Sequence, residues 1–247
     1  MGKNIINFLE QVVANITDTS SIIDTSRVLN VDDTFNNNDE NLNNKISTRK
    51  VTITVTNKIV GNYEARSYPD DDIDNDGLVE LYEVPVFEIL IEGLDDSKNA
   101  RTIKHQAPRF MPFWNDPREP SEHYKARGWL NAGLATERTI RVNKYIRDYE
   151  VQNRFSPGRG AIVLKDYFYI HGGPSDISDF GFGSAGCIEI IGDYDTFKNN
   201  IKSLSGFKGT DVDDAISKLV QDKNLIVKIE GATAPDIKEN FTKQVEL

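Results

Sequence analysis

Tyr169–Ile191, reading YIHGGPSDISDFGFGSAGCIEII, decides how the rest of the chain is interpreted. An apolar run, YFYI (Tyr167–Ile170), delivers His171 into Gly172 and Gly173. Beyond a glycine-rich loop, Ile188, Ile190 and Ile191 resume an extended apolar pattern. Short apolar runs bounded by turn residues predict buried strands. The stretch is therefore strand, loop, strand, with His171 closing the first strand and Cys187 opening the second. Cys187 is the only cysteine in the 247 residues.

Working outward, AIVL (Ala161–Leu164) is a second short apolar run, separated from YFYI by Lys165-Asp166, and two adjacent buried strands fit. Ser156-Pro157-Gly158 breaks the chain before it, and Thr139–Arg147 mixes apolar and basic residues as an edge strand does. Downstream, Asp193 is placed to start a helix carrying Phe197, Ile201 and Leu204 on one face, with a second helix over Asp213–Gln221. LIVKI (Leu225–Ile229) predicts a core strand. Far upstream, KVTITVT (Lys50–Thr56) alternates Val51, Ile53 and Val55 with threonines, the period of a strand buried on one face. The sum is α+β, mainly a β sandwich with a few helices. The polar tail to Leu247 carries no assignment.

The first segment is different. Ile5, Leu9, Val12, Val13 and Ile16 recur at helical spacing, so an amphipathic helix is expected over residues 4–16. NNNDENLNN (Asn36–Asn44) has almost nothing to bury and reads as a linker. Residues 1–47 are thus an N-terminal helical appendage with an Asn-rich linker, and residues 48–247 the main domain. The helix has two readings, docking on the main domain or recognition by a secretion machine, and its apolar stripe serves both.

Twenty-nine basic and 39 acidic residues give a formal charge of −10, which disfavours a nucleic-acid backbone or an anionic membrane surface as partner. No apolar run approaches the roughly 20 residues needed to span a bilayer. The N-terminal residues lack an uninterrupted apolar core and a small-residue cleavage site, so no secretory signal peptide is expected. A lone cysteine permits no internal disulfide.

DIDNDGLVELYE (Asp72–Glu83) matches the spacing of a calcium loop. Asp72, Asp74 and Asp76 would supply side-chain oxygens, Leu78 its carbonyl and Glu83 two oxygens, with Gly77 making the bend. The flanking SYPDD and strand-like VPVFEILI do not resemble EF-hand helices. The second reading is a β-hairpin connection turning at Asp76-Gly77 with solvated acids. From His105 to Gly128, Pro108, Pro112, Pro117 and Pro120 predict a long shaped loop, whose Phe110, Phe113, Trp114 and Tyr124 would line a groove. His105 and His123 have no partner at zinc-ligand spacing and are assigned no chemistry.

A thiol attacks a carbonyl only as thiolate, and a cysteine at its ordinary pKa is mostly protonated at neutral pH. His171, brought to Cys187 by a loop reversal, would take that proton and later return it to a leaving amine. Gly186 removes a side chain beside the nucleophile and leaves room for backbone amides at an oxyanion. Ser184 stands where it would orient the imidazole. The bland alternatives are a small buried cysteine and a structural histidine.

YIHGG followed by SAGCIEI resembles the motif of the L,D-transpeptidase catalytic domain, in which a strand-borne His-Gly is followed after a variable loop by Ser-x-Gly-Cys and an apolar residue. The likeness puts His171 at the general base, Gly172 at its glycine, Ser184 at the serine, Gly186 at the glycine, Cys187 at the nucleophile and Ile188 at the apolar position. It implies a sandwich or barrel-like catalytic domain needing no cofactor, acting on peptidoglycan stem peptides by L,D-transpeptidation, D-amino acid exchange or L,D-carboxypeptidase cleavage. Gly172, Glu189 and Trp114 become candidate substrate contacts. The likeness spans about 20 residues, and two positions depart from it: Ala185 where many members carry His or Lys, and Glu189 where many carry Arg or Asn. An anion at Glu189 would disfavour a nearby thiolate and repel a substrate carboxylate. Such a substrate implies action in the periplasm or at the cell wall. Without a signal peptide, the expectation is export by a dedicated secretion system, as an antibacterial effector paired with an immunity protein.

Overall fold

The computed structural model describes residues 47–66, 72, 76–113, 128–129, 135–150, 158–165, 168–179, 181, 186–234 and 242–246, with the backbone alone at 113, 128 and 129. The expected N-terminal helix and Asn-rich linker lie outside the described residues, which all belong to one unit, Ser47–Leu247.

The domain is mostly β, with two helices among the described residues, the β-rich α+β class expected. In chain order the elements are β1 (Val51–Arg66), β2 (Val79–Leu94), β3 (Ala100–Pro108), β4 (Pro112–Phe113), β5 (Gly128–Trp129), β6 (Arg138–Arg141), β7 (Tyr145–Glu150), β8 (Arg159–Lys165), β9 (Phe168–Gly172), β10 (Ile188–Ile190), α1 (Tyr194–Ser205), α2 (Val212–Gln221), β11 (Leu225–Ile229) and β12 (Lys243–Val245). The first sheet runs β12-β2-β1-β11-β6, with β3 sharing the edge of β2 that β12 also uses. The second runs β10-β9-β8-β7, while β4 and β5 form a small separate pair.

One core draws on both sheets and both helices. Val51, Ile53 and Val55 of β1 are wholly inside, with Ile162 of β8, Ile170 of β9, and Ile188 and Ile190 of β10. The predicted helix face enters the same core through Phe197, Ile201 and Leu204, and α2 adds Ile216 and Leu219. Truncating any of these isoleucines or leucines to alanine typically costs about 2–5 kcal/mol. The register that the alternation predicts for β1 is therefore strongly specified.

The caps follow from local chemistry. Asp193 accepts from the backbone N–H groups of Asp195 and Thr196, and α1 ends at Gly206 in the left-handed region, φ 72°. Asp211 caps α2 by accepting from the Asp214 N–H at 2.8 Å. The Tyr194 hydroxyl donates to the Ile170 carbonyl at 3.0 Å, tying the start of α1 to β9.

Two expectations change. The loop predicted from His105 begins later, because β3 stays paired with β2 as far as Pro108 opposite Val86. Proline is tolerated there, at a strand end. His105 is structural: its ring meets the amide of Asn200 at 3.0 Å and lies edge-on to Phe197. The second change concerns the tail, whose Lys243–Val245 pairs with the start of β2.

Candidate active site

Register puts the chemistry on one face. On the parallel pair β9 and β10, Ile188 stands opposite Ile170, and Glu189 opposite His171. Ile170, Ile188 and Ile190 enter the core, so Tyr169, His171, Cys187 and Glu189, one residue out of phase, take the other face. Cys187 immediately precedes β10 and lies beside Tyr169, whose backbone hydrogen bonds to it. His171 of the predicted pair thus lies in β9, and Cys187 directly before its parallel partner β10.

That face is covered as well. His171 is 3% exposed and Cys187 7%, whereas Glu189 is partly exposed. The His171 Nδ1 lies 2.8 Å from the Gly172 carbonyl, which only accepts, so Nδ1 carries the proton. Nε2 is left as the acceptor, the form a general base needs. Burial pushes His171 down to about 4 and the Cys187 thiol up to about 12, the neighbouring Glu189 adding to the latter. Both shifts favour the neutral forms, a protonated thiol beside an unprotonated imidazole. Burial also raises Glu189 to about 8, so its carboxyl is protonated through most of the neutral range.

Two tyrosines that the sequence did not single out as site residues, Tyr149 and Tyr169, join the cluster. The Tyr149 ring of β7 lies 5.6 Å from the His171 ring and 5.2 Å from that of Tyr169. Its hydroxyl is raised by burial first and then by the charges of Cys187, Tyr169 and Glu189. Tyr63, on β1 in the other sheet, packs in a separate apolar cluster with Val84, Val86, Phe87 and Phe110, and its hydroxyl is raised by burial and then by Glu189. Only Tyr169 falls in the opening motif. Tyr63 and Tyr149 are remote in sequence, and nothing local marks them.

The glycines have physical reasons. Gly186 has φ +112°, and a Cβ there would fall 2.2 Å from Cε1 of Phe168. A Cβ on Gly173 would fall 2.9 Å from the Cβ of Glu189. Gly172 lies in β9, its carbonyl accepting from the His171 ring. Behind them, the Gly173 N–H donates to Ile190 at 2.8 Å and the Gly192 N–H to Pro174 at 2.8 Å, closing the loop base. The Arg66 N–H donates to Gly181 at 2.6 Å, which brings the β1 end to the loop. Ser184, Ala185 and Trp114 lie outside the described residues.

The acidic loop is placed differently from the calcium-loop pattern. It connects β1 to the antiparallel β2, as the hairpin reading holds, so strands stand where an EF-hand has helices. Asp72 accepts from the N–H groups of Asp76 and Gly77, both at 3.1 Å, and Asp76 from that of Leu78 at 2.8 Å. The carboxylates that converge are Asp72, Asp76 and Glu80, the last 2% exposed. Glu83 is not among them: β2 has begun by Val79, and Glu83 is exposed opposite Glu64. Asp74 lies outside the described residues.

The class these features define is a two-sheet, β-rich α+β domain with a buried cysteine and histidine sharing one sheet face. No protein-family model matches the chain, and neither does a curated protein or a solved structure. No described helix is long and apolar enough to cross a membrane.

Proposed function

We propose that this protein is a cysteine acyltransferase of the L,D-transpeptidase type, acting on peptidoglycan stem peptides. The observation that carries the reading is the placement of His171 in β9 and of Cys187 directly before the parallel partner β10, with the imidazole proton held on Nδ1. The motif likeness supports the substrate class.

In the reaction, Nε2 of His171 takes the thiol proton as the Cys187 sulfur attacks the carbonyl of an L-centred residue. The amide breaks, and the departing D-amino acid leaves as an amine bearing the proton from His171. The thioester on Cys187 then passes to an acceptor amine, giving a cross-link or an exchanged D-amino acid, or to water, giving a shortened stem. The second nucleophile returns its proton through His171 to the thiol. Trp114 and Ser184 keep the proposed roles of substrate wall and orienting hydroxyl. In this reading the protein works in the periplasm or at the wall of a target cell, exported by a secretion system and neutralised at home by an immunity protein.

The test is incubation with purified muropeptides followed by mass spectrometry, comparing the native protein with Cys187→Ala. Loss or exchange of a terminal D-amino acid only with the native protein supports the reading, and its absence sinks it. A second reading, a wall- or partner-binding domain without turnover, is favoured by the neutral, buried state of the Cys187 thiol. It predicts retention of muropeptides with no new masses.

A further inference from the structure

Tyr149 does not point where a regular strand would send it. Tyr145 of β7 packs against the main core and donates to Asp213 at 2.5 Å, and strict alternation would put Tyr149, four residues on, toward the same side. The ladder to β8 is irregular instead. Ile146 stands opposite Ala161 and Glu150 opposite Arg159, so Arg147, Asp148 and Tyr149 together face Gly160 alone. A bulge of this kind re-aims side chains. The Tyr149 ring ends 5.6 Å from the His171 ring and 5.2 Å from that of Tyr169, both on β9, with β8 lying between. Ala161, the β8 residue opposite His171, has only a methyl group to interpose.

Exposure is graded across these contacts. Tyr149 and Tyr169 are partly exposed, while His171 and Cys187 are buried, and Cys187 lies beside Tyr169. A ligand approaching the pair on this side meets the two rings first. We infer that Tyr149 is the gate of the His171–Cys187 site: its ring covers the pair in the empty protein and swings aside with the bulged part of β7 to admit a ligand. Three features suit the part. Among the described residues β7 is the end strand of its sheet, so its movement disturbs one ladder only. That ladder is already interrupted at the bulge. The bulge is tethered by ion pairs, Arg147 to Asp211 and Asp214 at 3.1 and 2.8 Å and Glu150 to Arg159 at 2.8 Å, whose side chains are all exposed. Exposed pairs contribute little, which keeps opening low in cost. The inference rests on the acyl-transfer reading only for what enters, an acyl donor with the width of a peptide.

Because Cys187 is the only cysteine, thiol modification reads the gate without any peptidoglycan chemistry. The full chain is treated with methyl and benzyl methanethiosulfonate, each of which passes its thiol group to the thiolate as a disulfide and releases methanesulfinate. The readout is the benzyl-to-methyl rate ratio at one pH, which cancels the thiol's own acidity. In the native protein the ratio is expected about tenfold below that of free cysteine, and Tyr149→Ala is expected to bring it within about twofold of free cysteine. Tyr149→Phe keeps the ring and should keep the low ratio. Leu219→Ala, a core truncation in α2, controls for general loosening and should lower stability in urea without raising the ratio. A native ratio equal to that of free cysteine, a ratio unmoved by Tyr149→Ala, or an equal rise in Leu219→Ala would overturn the gate, as would failure of both reagents to modify Cys187 in every variant. Muropeptide turnover fails independently: size-selective modification controlled by Tyr149 without turnover sinks the acyl-transfer reading and leaves the gate standing.

Discussion

His171 and Glu189 face each other across β9 and β10, a base and an acid in direct register on the same covered face. Burial acts on the two in opposite senses. It drives the imidazole to lose its proton and the carboxyl to keep one, so the neutral state of each is favoured near pH 7. Both groups therefore rest uncharged near neutral pH.

Stability should record this. Glu189 is raised to about 8, so from pH 6.5 to 8 the folded chain retains a proton that the unfolded chain has already released. Folded binding exceeds unfolded binding there, and stability falls as pH rises, by up to about 1.4 kcal/mol per unit for one proton. His171, lowered to about 4, acts oppositely, its stabilisation growing between pH 4 and 6.5 and then complete. Urea unfolding across pH 6.5–8 is expected to show the decline, and Glu189→Gln to flatten it. A native protein equally stable at both ends of that window would contradict a carboxyl that stays protonated.

Thiol reactivity in the empty protein should be slow and pH-driven. With Cys187 pushed up to about 12, its iodoacetamide rate is expected to rise about tenfold per pH unit between 7 and 10. A plateau below pH 7, monitored by mass spectrometry, would instead mean a preformed thiolate–imidazolium pair.

Gly186→Ala should damage the site by sterics alone. The new Cβ would lie 2.2 Å from Phe168 at φ +112°. Overpacking and backbone strain together cost about 2–4 kcal/mol, measurable by denaturant unfolding. Adding Phe168→Leu is expected to return part of the loss, a coupling absent if the penalty were purely conformational.

Tyr63→Phe should leave the fold intact. Removing a buried hydroxyl with no hydrogen-bond partner among the described residues is expected to leave stability unchanged or raise it by about 1 kcal/mol. A loss of more than 1 kcal/mol in urea would show that the hydroxyl has a structural partner.

Any calcium response should follow geometry and not the linear pattern. Isothermal titration is expected to lose calcium binding in Glu80→Gln and to keep it in Glu83→Gln, since Glu80 shares the cluster with Asp72 and Asp76. The reverse dependence would restore the twelve-residue pattern.

The local rules read well wherever one face of an element meets one core. Val51, Ile53 and Val55 announced β1, Asp193 the cap of α1, and Phe197, Ile201 and Leu204 its buried face, because periodicity and capping are properties of neighbouring residues. Pairing was less legible. Nothing in KVTITVT tells that β1 runs to Arg66 or takes β11 as a parallel partner, since those bonds join residues far apart in the chain. The acidic loop was legible only as two open readings: the linear spacing pointed to Glu83, while β2 pairing sets Glu80 with Asp72 and Asp76.

By itself the sequence determined a β-rich α+β chain, a histidine and a lone cysteine at the ends of two strands, and glycines at the points that need them. Only the tertiary structure decided the character of the site. Register placed Glu189 opposite His171, folding brought Tyr149 from β7, and desolvation set the protonation of all three titrating groups. Desolvation is exerted by whatever packs over a residue, and that is a property of the folded chain as a whole.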